Sequence, residues 1–195
     1  MIIFLTGGVR SGKSDTAQKW GEEIRGRRLY LATAEALDDE MRRRIARHQR
    51  SRADRWTTWE EPVHIGRVIE RAADKYDVIL IDCLTVWVSN LLHHAGGDEG
   101  LYETEVDVFL RAVEAVQGTV LVVSNEVGMG IVPDNACARE YRDRLGLLNQ
   151  RIARKADRVY LVCSGIPLAL KDGNSQGSGI QSNGVGKSSE RPPGE

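Results

Sequence analysis

The sequence predicts a three-layer α/β domain with a mainly parallel sheet, and three observations carry that prediction. Apolar runs of strand length recur at roughly residues 1–6, 28–33, 77–82, 119–124 and 158–163. Segments of helical period lie between them, which is the βαβ alternation of a parallel sheet covered by helices. A glycine-rich loop also joins the first run to the first helix, where an open α/β sheet carries its ligands.

The chain has 195 residues, enough for one domain with a sizeable core. Its 27 Lys and Arg against 28 Asp and Glu leave a net charge of −1, so bulk charge gives no argument for nucleic acid or a membrane surface. No apolar run reaches the roughly 18 residues of a membrane span. The N-terminus Met1–Thr6 has no charged leader and reads as a strand. Cys83, Cys137 and Cys163 form no C-x-x-C pair, so reduced thiols in a cytoplasmic protein are expected.

Ile2-Ile3-Phe4-Leu5 is the first strand, and Gly7-Gly8-Val9-Arg10-Ser11-Gly12-Lys13-Ser14 follows it with the spacing G-x-x-x-x-G-K-S. Glycines let backbone N–H groups curl around phosphate oxygens. Lys13 can reach terminal phosphates, and the Ser14 hydroxyl can ligate Mg²⁺. A nucleoside triphosphate site is expected, within the P-loop nucleotide hydrolases and kinases. Ser14 to Arg25 is the first helix, with Ala17, Trp20 and Ile24 at helical spacing and Gly26 as its stop. Leu29–Thr33 is the second strand, which puts Thr33-Ala34-Glu35 at a strand end.

A helix is expected from Asp38 or Asp39 to about Arg52. Seven arginines fall between Arg42 and Arg55, and Met41, Ile45 and His48 share one face. His48 is either a half-buried histidine on a solvated basic helix or a group converging on a site. Arg55–Pro62 reads as a connection, with Trp56 and Trp59 available to stack on a ring or to fill the core. Val63 to Lys75 is an amphipathic helix. Val78-Ile79-Leu80-Ile81 then Asp82 is a buried strand ending in a carboxylate, the partner of the P-loop serine in holding Mg²⁺.

Leu84 to His94 is an apolar helix; His93 and His94 diverge by about 100° and mark its end. Asp98 to Gln117 is a long helix, and Thr119–Ser124 a strand. Asn125–Pro133, with two glycines and Glu126, is a candidate ligand loop or a long turn. Asn135 to Ala156 is a helix and residues 158–163 the last strand. From Lys171 to Glu195 apolar residues nearly vanish, which predicts a disordered tail after a domain of residues 1–170. Gly186-Lys187-Ser188 echoes the P-loop, but Gln181 stands where the first glycine is needed.

Taken in order, Thr6–Ser14, Tyr30–Thr33, Asp38–Met41 with Arg44, Ile45 and His48, and Asn125–Pro133 resemble one family. It is the bifunctional adenosylcobinamide kinase / adenosylcobinamide-phosphate guanylyltransferase of the cobalamin pathway. The resemblance covers residues 1 to about 170. It implies a RecA-like sheet and a homotrimer. It implies that ATP or GTP phosphorylates adenosylcobinamide, a corrinoid, and that GMP then passes from GTP through a guanylylated histidine to give adenosylcobinamide-GDP. That histidine falls on His48. Nucleotide contacts fall on Thr33, Ala34, Glu35, Ser51, Arg52, Ala53, Asp54, Glu60 and Asp82, beside the P-loop residues Gly7, Gly8, Val9, Arg10, Ser11, Gly12, Lys13 and Ser14. Lys13 and His48 are the catalytic candidates, and Asp82 and Glu126 the candidate bases for the kinase step. The alternative is a single-step P-loop small-molecule kinase, in which His48 is structural. A GTP-dependent switch is disfavoured because no Asn-Lys-x-Asp occurs.

Overall fold

A computed structural model describes residues 1–35, 53–96 and 98–172. The strands are β1 (Ile2–Thr6), β2 (Arg28–Ala32), β3 (Thr57–Glu60), β4 (Val78–Asp82), β5 (Thr119–Val123), β6 (Arg158–Cys163) and β7 (Ile166–Lys171). The helices are α1 (Lys13–Glu23), α2 (Ile65–Ala72), α3 (Leu84–Ala95), α4 (Glu99–Ala115) and α5 (Ala136–Lys155). One seven-stranded sheet has the order β3-β2-β4-β5-β1-β6-β7. All pairings are parallel except β6 with β7. The mainly parallel α/β fold expected from the sequence is therefore present, with two strands more than the five expected.

The central strands are apolar on both faces because both are covered. Phe4, Ile79, Ile81, Val120 and Val122 point into a core shared with α2, α3, α4 and α5. Leu5, Leu80, Leu121 and Val123 point the other way, against Ala17 and Trp20 of α1 and the ring of Trp56. Trp87 and Phe109 are wholly buried in the first core, with centroids 5.0 Å apart. Asp98 caps α4 by accepting from the N–H groups of Gly100 and Leu101, and Asn135 caps α5 by accepting from Ala138. At the other end of α1, Arg28 donates to the carbonyls of Gly21, Glu22 and Ile24, which would otherwise be orphaned.

Two expectations are corrected. The connection read over 55–62 contains β3, an edge strand whose ladder to β2 runs Leu29↔Thr57 to Ala32↔Glu60. Its tryptophans fill the core: Trp56 is buried with its Nε1 donating to Glu22, and Trp59 packs at a T-shaped angle on Tyr76. The sheet also runs on past β6 through a tight turn into antiparallel β7, so Lys171 ends a strand. Residues 173–195 of the expected tail lie outside the described residues.

Helix α2 approaches α4 through Gly66, where an added Cβ would lie 2.7 Å from the backbone nitrogen of Phe109. Backbone cannot give way as a flexible side chain can. Gly66→Ala is therefore expected to destabilise the fold by about 1–3 kcal/mol through overpacking, read as a lower denaturation midpoint with an unchanged slope in urea.

Candidate active site

The carboxyl edge of the sheet assembles the site. The loop between β1 and α1 turns through Gly7 at φ 149°, Arg10 at φ 57° and Gly12 at φ 93°. A Cβ on Gly7 would lie 2.2 Å from the carbonyl oxygen of Val162 in β6, so this position tolerates only glycine. The β6–β7 turn braces the far side of the loop: Gly165 N–H donates to the Ser11 carbonyl at 2.8 Å. Lys13 is buried, and its Nζ donates to the Gly8 carbonyl at 2.7 Å and to Ser11 Oγ at 3.4 Å. Gly12 caps α1 without a side-chain acceptor, leaving the first N–H groups of the helix to the loop's concave side. A buried ammonium and an uncapped helix start at a glycine loop are what an anion cradle requires.

Asp82 closes the cradle from β4. Its Oδ1 accepts from Ser14 Oγ at 3.1 Å, and its Oδ2 accepts from the Tyr30 hydroxyl. A hydroxyl and a carboxylate oxygen next to a phosphate cradle form a hard-oxygen donor set that fits Mg²⁺. Among the described residues no cluster of three or more His, Cys, Asp or Glu could hold a metal ion by itself. A magnesium ion that keeps waters and phosphate oxygens as ligands needs no such cluster.

The remaining expected contacts divide. Thr33 is wholly buried, and its Oγ1 both donates to the Cys83 carbonyl and accepts from the Cys83 N–H, each at 2.9 Å. Its hydroxyl is thus committed to tying the ends of β2 and β4 together. Ala34 and Glu35 continue from it at the same edge, with a Glu35 carboxylate oxygen 3.6 Å from His94 Nε2. Glu60 ends β3 beside Ala32. Ala53 and Asp54 lie in a short 3₁₀ turn before β3, at the amino edge of the sheet. There Asp54 lines a cavity of about 610 Å³ with Arg27, Lys75 and Tyr76. The family resemblance groups Ala53 and Asp54 with the nucleotide contacts, but β3 carries the chain across the sheet between them and Glu60. His48, Ser51 and Arg52 lie outside the described residues.

The Asn125–Pro133 loop meets the cradle at its start. Glu126 N–H donates to the Gly7 carbonyl at 3.0 Å, and Glu126 Oε1 accepts from the Gly128 N–H at 2.8 Å. Met129, Ile131 and Val132 beyond it are exposed. Three polar residues that hold these loops escape sequence reading. Asn90 donates from Nδ2 to the carbonyls of Thr33 and Pro62, Asn149 donates to the Asn125 carbonyl, and the Thr85 hydroxyl accepts from the Asn125 N–H. Asn90 and Asn149 leave a usable signal, since each is polar on a helix face whose neighbours three or four residues away, Trp87 for the one and Leu145 and Ile152 for the other, are buried core.

A family model described as cobinamide kinase / cobinamide phosphate guanyltransferase matches residues 3–170. The chain is 39% identical over 183 residues to the bifunctional adenosylcobalamin biosynthesis protein CobU of Escherichia coli (strain K12), spanning 88% of this chain and all of that one. It is 38% identical over 171 residues to the bifunctional adenosylcobalamin biosynthesis protein CobP of Pseudomonas aeruginosa, spanning 88% of this chain and 98% of that one. Among solved structures, a prototypical ATPase from the type III secretion system of pathogenic bacteria superposes with TM-score 0.51 at 9% identity. The match covers 82% of this chain and 51% of that one, a likeness of fold alone.

The three thiols differ in a way that chemistry can read. Burial, with the Asp82 charge beside it, pushes the Cys83 thiol up from 9.0 to about 11. Cys137 and Cys163 are exposed. A raised pKa keeps Cys83 protonated and unreactive at mildly alkaline pH. Iodoacetamide at about pH 8 is expected to alkylate Cys137 and Cys163 in the native protein and Cys83 only after denaturation, as read by peptide mass spectrometry.

Proposed function

The chain belongs to the cobinamide kinase / cobinamide phosphate guanyltransferase family, and from that membership we propose that it performs both reactions in cobalamin biosynthesis. It phosphorylates the aminopropanol hydroxyl of adenosylcobinamide with ATP or GTP. It then transfers GMP from GTP to the new phosphate, giving adenosylcobinamide-GDP. The observation that carries the nucleotide half is the Ser14–Asp82 contact at 3.1 Å beside the buried Lys13. That contact joins the phosphate loop to the strand-end carboxylate in a chain whose family match spans residues 3–170.

In the kinase step the loop N–H groups and Lys13 bind the terminal phosphates and stabilise charge spreading over the transferred phosphoryl oxygens. Ser14 and Asp82 would hold Mg²⁺, which supplies neutralising charge for the β and γ oxygens. Asp82 is held by two donors, so its role is ligation and not proton removal. Glu126, anchored to Gly7 through its backbone, is the base candidate that remains.

In the transfer step a ring nitrogen of His48 attacks the α-phosphorus of GTP. A P–N bond forms, the P–O bond to pyrophosphate breaks, and the electron pair leaves with pyrophosphate. An oxygen of the cobinamide phosphate then attacks the same phosphorus and releases the imidazole. Neutral histidine is the nucleophile such a step requires, and the arginines around His48 in sequence offset charge on the phosphates. Ala34, Glu35 and Glu60 face this nucleotide from the carboxyl edge. We assign Ala53 and Asp54 no contact with a nucleotide on their own chain's loop. Denaturation-stable, acid-labile label from α-labelled GTP is expected on the wild type and absent in His48→Asn, with ATP-dependent phosphorylation of adenosylcobinamide retained. Label that persists in His48→Asn refutes the assignment, and no label on the wild type leaves the single-step kinase.

We further propose a homotrimer. Ile166, Leu168 and Leu170 alternate along the edge strand β7 and are 70%, 59% and 58% exposed, a strip that a second copy can cover. Light scattering after gel filtration is expected to give three times the chain mass. Leu168→Glu is expected to shift that mass towards one chain.

A further inference from the structure

The core face behind the phosphate loop contains a polar group of atoms that the fold itself leaves unsatisfied. Leu5 of β1 pairs with Val123 of β5, so Thr6 and Ser124 stand side by side one residue further along. Phe4 and Val122 lie in the core under α5, and alternation turns Thr6 and Ser124 to the same side. Asn149 of α5 is buried beside Leu145, Leu148 and Ile152, which join the same core. Its Nδ2 donates to the carbonyl of Asn125, the residue next to Ser124, at 3.0 Å. Thr6 Oγ1, Ser124 Oγ and Asn149 Oδ1 are all buried without a hydrogen-bond partner among the described residues. The residues that carry them are 7%, 0% and 7% exposed.

Three buried oxygens, on two paired strand ends and on the helix residue bonded to the next residue of one of those strands, fit one internal water, which typically makes about three hydrogen bonds to such groups. The two hydroxyls can donate or accept and the amide oxygen accepts, so one water satisfies all three. The position matters. Asn125 and Glu126, held from below by Asn149, are held from the sides by Thr85 and by Gly7, the first residue of the phosphate loop.

We infer that Thr6, Ser124 and Asn149 enclose one buried water, and that Asn149 is a positioning residue which through Asn125 fixes Glu126 against the phosphate loop. The water and the loop anchorage stand independently of the proposed reactions. The kinetic consequence rests on the kinase reading.

The tests use the full chain. A high-resolution crystal structure is expected to show one water in hydrogen-bonding reach of all three oxygens; direct bonds among the three with no water between them overturn the site. Asn149→Leu removes the amide at similar size. It is expected to speed hydrogen exchange at the Glu126 amide and to lower kcat for phosphorylation of adenosylcobinamide on the order of tenfold to a hundredfold. KM for ATP is expected to stay within about twofold, because the loss is in orientation and not in nucleotide binding.

The triple variant Thr6→Val, Ser124→Ala, Asn149→Leu separates positioning from stability, since it removes the three unsatisfied oxygens and leaves only the Asn125 carbonyl without its donor. Thermal stability is expected to recover in part relative to Asn149→Leu while kcat stays low. Recovery of kcat together with stability, or an unchanged Glu126 exchange rate in Asn149→Leu, overturns the positioning role. Wild-type protein that fails to phosphorylate adenosylcobinamide counts against the kinase reading alone, and the water and the exchange rates still decide this inference.

Discussion

The contact between Ser14 and Asp82 joins two strands that are not neighbours. β5 lies between β1 and β4, and Val123 pairs with Leu5 on one side and Asp82 on the other. The three strand ends are therefore flush, and β1 and β4 stand about 10 Å apart at a spacing of about 4.8 Å per strand. The loop covers that distance by rising past β1 and sending α1 back across β5 and β4. Strand register sets the rest. Because side chains alternate, a one-residue slip of β4 would turn Asp82 away from Ser14 and put Ile81 in its place. Ile79 and Ile81 in one core and Leu80 in the other forbid that slip, so apolar packing several residues away keeps the carboxylate where the loop needs it.

The strand ends raise a second problem, because carbonyls and N–H groups beyond the last ladder bond have no partner and are still buried. The chain answers with side chains from the end of β2 and from helices. The Thr33 hydroxyl closes onto Cys83, Asn90 takes the carbonyls of Thr33 and Pro62, and Asn149 takes that of Asn125. Each joins two loops or a loop and a helix, so the loops at the carboxyl edge form one linked rim. Polar residues inside apolar helices are costly unless fully bonded, and here their cost is offset by the backbone groups they satisfy. Buried Glu105 pairs instead with a side chain, its Oε1 2.9 Å from Nδ1 of His64, the residue that opens α2.

The parallel core was legible because its strands are doubly buried and nearly all apolar, and the phosphate loop because its residue types are dictated by backbone shape. β3 was not legible. Thr57-Thr58-Trp59-Glu60 contains one apolar residue, and an edge strand with partial cover needs no more. β7 hid for the opposite reason. Ile166–Lys171 carries a proline and ends where the composition turns polar, so it read as the end of the domain. Pro167 is tolerated because β7 lies on the sheet edge. The separation of Asp54 from the loop was illegible in principle: it depends on β3 crossing the sheet, and sequence adjacency carries no sign of that. Asn149 shows a subtler limit, since a polar residue on a buried face announces a partner but does not say which carbonyl it will find.

One phosphate loop can serve two different bond cleavages because the grip and the attack are separable. In the proposed function the donors of the loop and Lys13 hold the terminal phosphates of a bound triphosphate. In phosphoryl transfer those atoms are the ones passed on, and charge grows on the oxygens the loop already holds. In guanylyl transfer the same atoms leave as pyrophosphate, and again the growing charge lies on the oxygens under the loop. The preorganised field therefore favours both transition states without rearrangement. What differs in the proposed reactions is the nucleophile: a substrate hydroxyl beyond the γ-phosphorus in one case, a histidine at the α-phosphorus in the other. In that proposal the second approaches from the nucleoside side of the bound triphosphate. Choice between the reactions is thus a property of the residues that flank the cradle and of which acceptor is bound, while the cradle itself stays the same for both.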